Sequence, residues 1–128
     1  MALYEKLIDT ERRRVITTWG AIVTDASLME YQKSVWSDPA LYGYDELIDF
    51  RALEQIEVST EGLEAVASVA ADMDGTVGQG RFAIVVKKGL EFGLSRMYES
   101  FRALEDTASR QVMIFHRLDE ALAWLDES

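Results

Sequence analysis

The alternation of apolar and polar positions is clearest between Arg81 and Leu125. Arg81-Phe-Ala-Ile-Val-Val-Lys87 and Arg110-Gln-Val-Met-Ile-Phe-His116 are short apolar runs flanked by charge, a pattern that predicts two strands. Between them Leu90, Leu94, Met97, Tyr98, Phe101 and Leu104 recur at helical spacing, and Leu118, Ala121, Leu122 and Leu125 repeat it afterwards. Two strands joined by a helix of that length pair in parallel through a right-handed crossover.

The first half extends the pattern. Leu3 to Asp9 and Arg13 to Trp19 read as strands, with Thr10-Glu11-Arg12 short enough for a hairpin turn and Gly20 ending the pair. Thr24 or Asp25 caps a helix running to about Ser37, with Leu28, Tyr31 and Val35 on one face and Asp38-Pro39 stopping it. Glu46 to Phe50 is a third strand. Ala52 to Val58 then leads to a Ser59-Thr60 cap and a helix from Glu61 to about Asp72, whose apolar positions are Leu63, Val66, Ala67, Ala70 and Met73. Asp74 to Gly80, with three glycines, reads as a flexible connection. The order is β-β-α-β-α-β-α-β-α: an α/β fold in which a hairpin opens a mixed, mostly parallel five-stranded sheet covered by packed helices.

Composition narrows the function classes. The 128 residues are expected to form a single domain, residues 1–128, and 48% hydrophobic content supplies a core. A net charge of −10 opposes nucleic acid and anionic surfaces unless positive charge is gathered locally. The chain has no cysteine, so thiolate metal sites, disulfides and cysteine nucleophiles are excluded. No apolar stretch approaches the roughly 20 residues of a membrane span, and the N-terminus lacks the pattern of a signal peptide, so a cytoplasmic protein is expected.

The element order, together with Leu47-Ile-Asp-Phe-Arg-Ala-Leu-Glu-Gln-Ile-Glu-Val-Ser-Thr-Glu-Gly-Leu63, resembles the SpoIIAA-like, or STAS, family of anti-sigma factor antagonists. In that family a strand ending in aspartate is followed by an Asp-Ser-Ser-Gly-Leu turn that opens the next helix. Asp49 matches the strand aspartate, Glu57 lies near the turn aspartate, Ser59 or Thr60 near the serine pair, and Gly62-Leu63 match its end. Val58 and Glu61 interrupt the motif. Phe92-Gly-Leu-Ser-Arg-Met-Tyr98, Phe115 and Glu120-Ala-Leu-Ala-Trp-Leu125 are more similar to a little-characterised bacterial branch related in fold to the lipid-binding Sec14 domain. The resemblance implies a SpoIIAA-like fold, a regulatory phosphosite at Ser59 or Thr60, and a partner protein.

In open α/β sheets ligands bind beyond the carboxyl ends of the strands, where helix N-termini point. The residues expected there are Arg51, Ser59, Thr60, Lys87, Lys88, His116 and Arg117, an edge suited to an anion or a partner contact. The alternative is that strands end in charge because the chain is leaving the core, and that Ser59 and Thr60 are only caps. His116 is the single histidine and has no companion for a metal site. Ser59, His116 and Asp49 can be written as a triad, but no Gly-x-Ser-x-Gly turn exposes a nucleophile, so no catalytic residue is assigned. No cofactor is assigned either: the glycines at 75, 78 and 80 precede a strand instead of following one. Trp36, Tyr42, Tyr44, Met97 and Phe101 are candidates for core packing, a homodimer contact or an apolar pocket.

Two functions follow. The first is a non-enzymatic protein-interaction or regulatory module, as a monomer or homodimer, working through the basic edge. The second is a Sec14-type module holding a small apolar or anionic-headed ligand, for which a cavity of several hundred Å³ lined by Met97, Phe101 and Trp36 is expected.

Overall fold

The computed structural model describes residues 3–78 and 80–127. Strand β1 (Tyr4–Asp9) pairs antiparallel with β2 (Arg14–Thr24), and β3 (Asp45–Glu57), β4 (Phe82–Val85) and β5 (Val112–Phe115) follow in parallel. The helices are α1 (Asp25–Val35), α2 (Thr60–Val77), α3 (Leu90–Ala103) and α4 (Leu118–Asp126), with a single 3-10 turn at Pro39–Leu41. This is the element order expected from the hydrophobic pattern.

Spatial strand order equals sequence order, β1-β2-β3-β4-β5. Right-handed crossovers that always step in one direction put their helices on one face. Accordingly α1, α2 and α3 cover a core built on Val15, Trp19, Ile48, Phe82 and Ile84. Helix α4 alone packs on the other face, where Ala121 and Leu125 meet Leu47, Ala83 and Val85. The alternation Ile48-in, Leu47-out and Ile84-in, Val85-out is the period of two that a sheet buried on both faces requires. Arg14 to Asp126 (2.6 Å) and Arg81 to the Trp124 carbonyl (2.7 Å) fix the end of α4 to the sheet.

Two elements run longer than their sequence pattern indicates. Strands β2 and β3 continue past Gly20 and Phe50 because bulges absorb two irregularities. From Thr18 to Gly20 β2 advances two residues while β3 advances from Asp49 to Ala52; from Ala21 to Ile22 it advances one while β3 goes from Leu53 to Gln55. The extra residue lies in β3 each time, and Ala21 adopts φ 55° beside it. These bulges destroy the simple alternation of Ala52 to Val58 yet still deliver Leu53, Ile56 and Val58 to the core beneath α1 and α2.

Helix α2 extends through what reads as a flexible connection. Asp74 and Val77 continue the buried phase of Leu63, Val66, Ala67 and Ala70, and the helix stops only where Gly78 takes φ 101°. Asp74 is held by its partners: its carboxylate accepts from Arg102 Nη2 (3.0 and 3.1 Å) and from the backbone amides of Ser109 (2.9 Å) and Arg110 (3.2 Å). A buried, fully engaged carboxylate converts a weak helix sequence into an ordered last turn. Gln79, part of the same expected connection, lies outside the described residues.

Candidate functional site

The carboxyl edge of the sheet brings the expected cations into one region, and most of them are engaged internally. Arg51 grips Asp49 of its own strand with Nε (3.0 Å) and Nη2 (2.9 Å), and this hydrogen-bonded carboxylate raises the guanidinium pKa. Arg117 does the same with Asp119 (3.0 and 2.8 Å), both fully in solvent, raising its own pKa and lowering that of Asp119. His116 Nδ1 donates to the Val86 carbonyl (3.0 Å), and its ring lies 5.1 Å from that of Phe92. Lys87 and Lys88 are exposed and enter no ion pair among the described residues, next to exposed Leu90 and Phe92.

Ser59 caps α2, its Oγ accepting from the Gly62 amide (2.9 Å). The same Oγ donates to Asp25 Oδ2 (2.6 Å), and the Ser59 amide donates to Asp25 Oδ1 (2.9 Å). The first residue of α1 therefore places a carboxylate over the N-terminus of α2, where the partial positive charge of the helix favours an anion. A Cβ at position 62 would overlap that carboxylate, so Gly62 is what admits it. Thr60 is exposed in the first helical turn. Ser59, His116 and Asp49 each engage a different partner, and nothing aligns them as a triad. Among the described residues no three acidic or histidine side chains converge as metal ligands would.

The aromatic candidates are dispersed. Trp36 is buried beneath the Arg110 guanidinium (4.7 Å to the ring centre), and Tyr44 is buried beneath that of Arg13 (5.0 Å). Tyr42 and Met97 are half-buried against the core. Phe101 faces an open groove of about 240 Å³ between α2 and α3, rimmed by Glu61, Glu64 and Glu105. Trp36 borders a different, small cavity of about 10 Å³ shared with Asp74, Arg102 and Arg110.

An apolar pocket lies elsewhere among the described residues, between the sheet and α1–α3. Its volume is about 70 Å³. Val23, Leu28, Ile56, Val58 and Leu63 form one end; Ile48, Ile84 and Val66 form the middle. Tyr31, Gln32, Glu46, Ser95 and Tyr98 line the inner end, yet the wall they present to the pocket is almost wholly apolar. Leu28, Ile56 and Val58 are partly exposed whereas Glu46, Phe82 and Tyr98 are buried, so the pocket opens at the carboxyl ends of the strands, beside the Asp25–Ser59 clasp. At 70 Å³ it falls short of the several hundred expected for a lipid-sized ligand, and the interior is not densely filled either.

Behind that wall lies an interior charge network. Glu46 Oε2 accepts from the Tyr31 hydroxyl (2.6 Å), and Glu46 Oε1 lies 3.9 Å from Arg110 Nη1. Arg110 is held by the carbonyls of Gly80 (2.9 Å) and Tyr44 (3.0 Å). Burial, reinforced by Glu46, pushes the Tyr31 pKa well up, and burial above all raises that of Tyr98. Both tyrosines are therefore neutral donors at physiological pH. Sequence reasoning passed over this cluster, although a signal exists. Glu46 shares the strand phase of Ile48, Arg102 falls four residues after Tyr98, and Asp74 falls four after Ala70, so all three are charges on apolar phases.

No family model matches this sequence, and no curated protein matches it. Among solved structures, an uncharacterised DUF3478-family protein with a SpoIIAA-like fold from Shewanella loihica PV-4 superimposes with a TM-score of 0.54 at 17% identity, covering 95% of this chain and 91% of that one. The fold is SpoIIAA-like. Within this SpoIIAA-like frame Ser59 caps α2, but Asp49 lies inside β3, which continues to Glu57, so the strand does not end at the aspartate as the resemblance implied. No helix among the described residues is long and apolar enough to cross a membrane.

Proposed function

We propose that this protein is a non-enzymatic binding module whose ligand is a slender apolar molecule held between the sheet and α1–α3. The observation that carries this reading is the pocket opening beside the α1 and α2 N-termini, which is walled by aliphatic side chains. Its volume is less than half the roughly 150 Å³ of an engineered cavity that admits benzene, so it takes only the tip of an alkyl chain, the rest passing out through the opening. The anionic variant of this reading has less support, because Asp25 already occupies the α2 N-terminus. The test is native mass spectrometry of gently purified protein, with 1-octanol added to a parallel sample for methyl NMR. An apolar adduct, or shifts confined to Ile48 and Ile84, is expected. The bare chain mass with no methyl shifts would remove the reading.

A second reading, contact with a partner protein, draws on Lys87 and Lys88, which are unpaired beside exposed Leu90 (62%) and Phe92 (37%). A cationic corner with apolar neighbours suits an acidic protein surface. Reversing both lysines to glutamate should abolish co-purification of such a partner, and unchanged co-purification would exclude this corner. A phosphorylated Ser59 has weaker support: its phosphate would meet Asp25, with no basic side chain bonded at that cap.

A further inference from the structure

The outermost helix of the main helical layer carries a surface that fits a second copy of itself. Resting on the reading of Lys87 and Lys88 as a partner contact, we propose that the acidic surface they meet is the far end of α3 in another molecule of this chain. The two helices lie antiparallel across a twofold axis.

Position comes first. Strand order follows sequence order and β5 is the edge strand, so α3 has α2 on one flank and no described helix on the other. Ser95, Tyr98 and Arg102 turn into the core, and the opposite face, through Gly93, Arg96, Ser100 and Leu104, is exposed. Leu104, at 81%, is the most exposed large apolar side chain among the described residues, and Leu90 stands exposed at the other end of the helix. Gly93 sits on the crest of this face, where a glycine weakens a helix. Nothing within the chain calls for it, since a Cβ there would meet no atom within 4 Å. A second helix approaching closely accounts for it.

Charge then selects the occupant. Lys87 and Lys88 precede α3, and Glu105 and Asp106 follow it. None of these four side chains enters an ion pair or hydrogen bond among the described residues. Their placement is the reverse of what the helix dipole favours, which is anions at the start and cations at the end. An antiparallel neighbour brings the opposite charge to both ends. The midpoint of α3 falls between Arg96 and Met97, and antiparallel pairing about it sets Lys88 opposite Glu105 and Lys87 opposite Asp106. The same register sets Gly93 opposite Ser100 and Leu90 opposite Ala103. Twofold symmetry repeats each contact, so one matched patch serves both ends. A parallel pair would instead set lysine against lysine. Arg96, nearest the axis, already has Glu99 at 3.8 Å and brings no bare charge.

The groove of about 240 Å³ between α2 and α3 supplies the receiving shape. Phe101 and Leu104 give it an apolar wall, Glu61, Glu64 and Glu105 rim it, and no lysine or arginine lines it. Its complement is an apolar side chain beside a cation, which is what Leu90 and Lys88 of the second copy present. A net charge of −10 opposes indiscriminate association, so the favoured contact is one that sets opposite charges together. One helix face and one groove make a small interface, so the dimer is reversible.

The experiment is sedimentation velocity on the intact chain at about 0.2 mM, in physiological salt. Two double variants accompany it, Lys87→Glu with Lys88→Glu and Glu105→Lys with Asp106→Lys, their folding checked by circular dichroism. The natural chain should sediment as a dimer. Each variant alone carries like charge at both ends of α3 and should self-associate at least about tenfold more weakly. An equimolar mixture of the two should recover the dimer, because every acidic end then faces a basic one. A monomeric natural chain, a dimer that both variants retain, or a mixture that stays monomeric would each overturn the twofold contact. If the natural chain is monomeric but the lysine variant loses a co-purifying protein, the contact falls and the reading of the corner stands. If co-purification is also unchanged, both fall.

Discussion

At the carboxyl ends of the strands Arg51 and Arg117 each hold a carboxylate two residues away in their own sequence, whereas at the amino ends Asp74 and Arg102 meet across 28 residues. The first kind of pair forms within one short stretch of chain; Arg117 and Asp119 stay hydrated, and Arg51 keeps its contact with water although Asp49 is buried. The second exists only when α2 and α3 are docked, and both side chains are about 3–4% exposed. Local pairs in water describe a surface, while distant pairs in the interior report the assembled fold. Function is therefore better sought where the interior network touches a cavity than where cations merely accumulate.

The sharpest test of this contrast is Asp74→Ala. It strands the Arg102 guanidinium and two backbone amides in the interior, and a loss of about 3–5 kcal/mol is expected in urea unfolding. A loss no larger than that of a surface pair would show that water reaches this region freely. Next comes pH. Tyr31 and Tyr98 have raised pKa values when folded against 10.0 when free, so both keep their protons in the folded state while the unfolded chain releases them. Their contribution is complete below pH 10 and is lost as pH rises above it, by about 2.7 kcal/mol per unit for the two together. A urea midpoint that is flat from pH 9 to 11.5 would contradict their burial.

Gly62→Ala probes the clasp. In a helix this change ordinarily stabilises by about 1 kcal/mol, but here the new methyl group collides with the Asp25 carboxylate. It should destabilise the natural chain and stabilise an Asp25→Ala background; the same effect in both would mean that the clasp does not form. Arg117→Ala stands last. Its partner is as exposed as itself, so thermal unfolding should not shift measurably.

The parts of the fold that were legible in the sequence are those where periodicity is uninterrupted. Phe82 to Val85 and the stripe through Leu94, Tyr98 and Phe101 need no distant information. The second half of β3 was illegible because its bulges depend on pairing with Gly20 and Ala21 of another strand. The last turn of α2 was illegible because Asp74 looks like a loop residue until Arg102 and the amides of Ser109 and Arg110 are beside it. For the site, the general rule about carboxyl ends located the right end of the molecule. It did not show that the strand order never reverses, so no crevice forms between diverging helices and the pocket lies under them instead. Nor does local sequence indicate that Asp25, 34 residues before Ser59, fills the helix terminus.

The two bulges of β3 can also be read as a pair of compensating frameshifts. The first turns the inward parity of the strand from even positions (Ile48, Phe50) to odd (Leu53), and the second restores it at Ile56, opposite Val23. Deleting one residue between Phe50 and Gln55 would leave the rest of the strand out of frame, turning Ile56 outward and taking one wall of the pocket with it. Deleting one residue at each bulge would keep the frame and straighten the sheet. The opening of the pocket is thus written in this strand as a count of residues, which insertions and deletions would read more directly than substitutions.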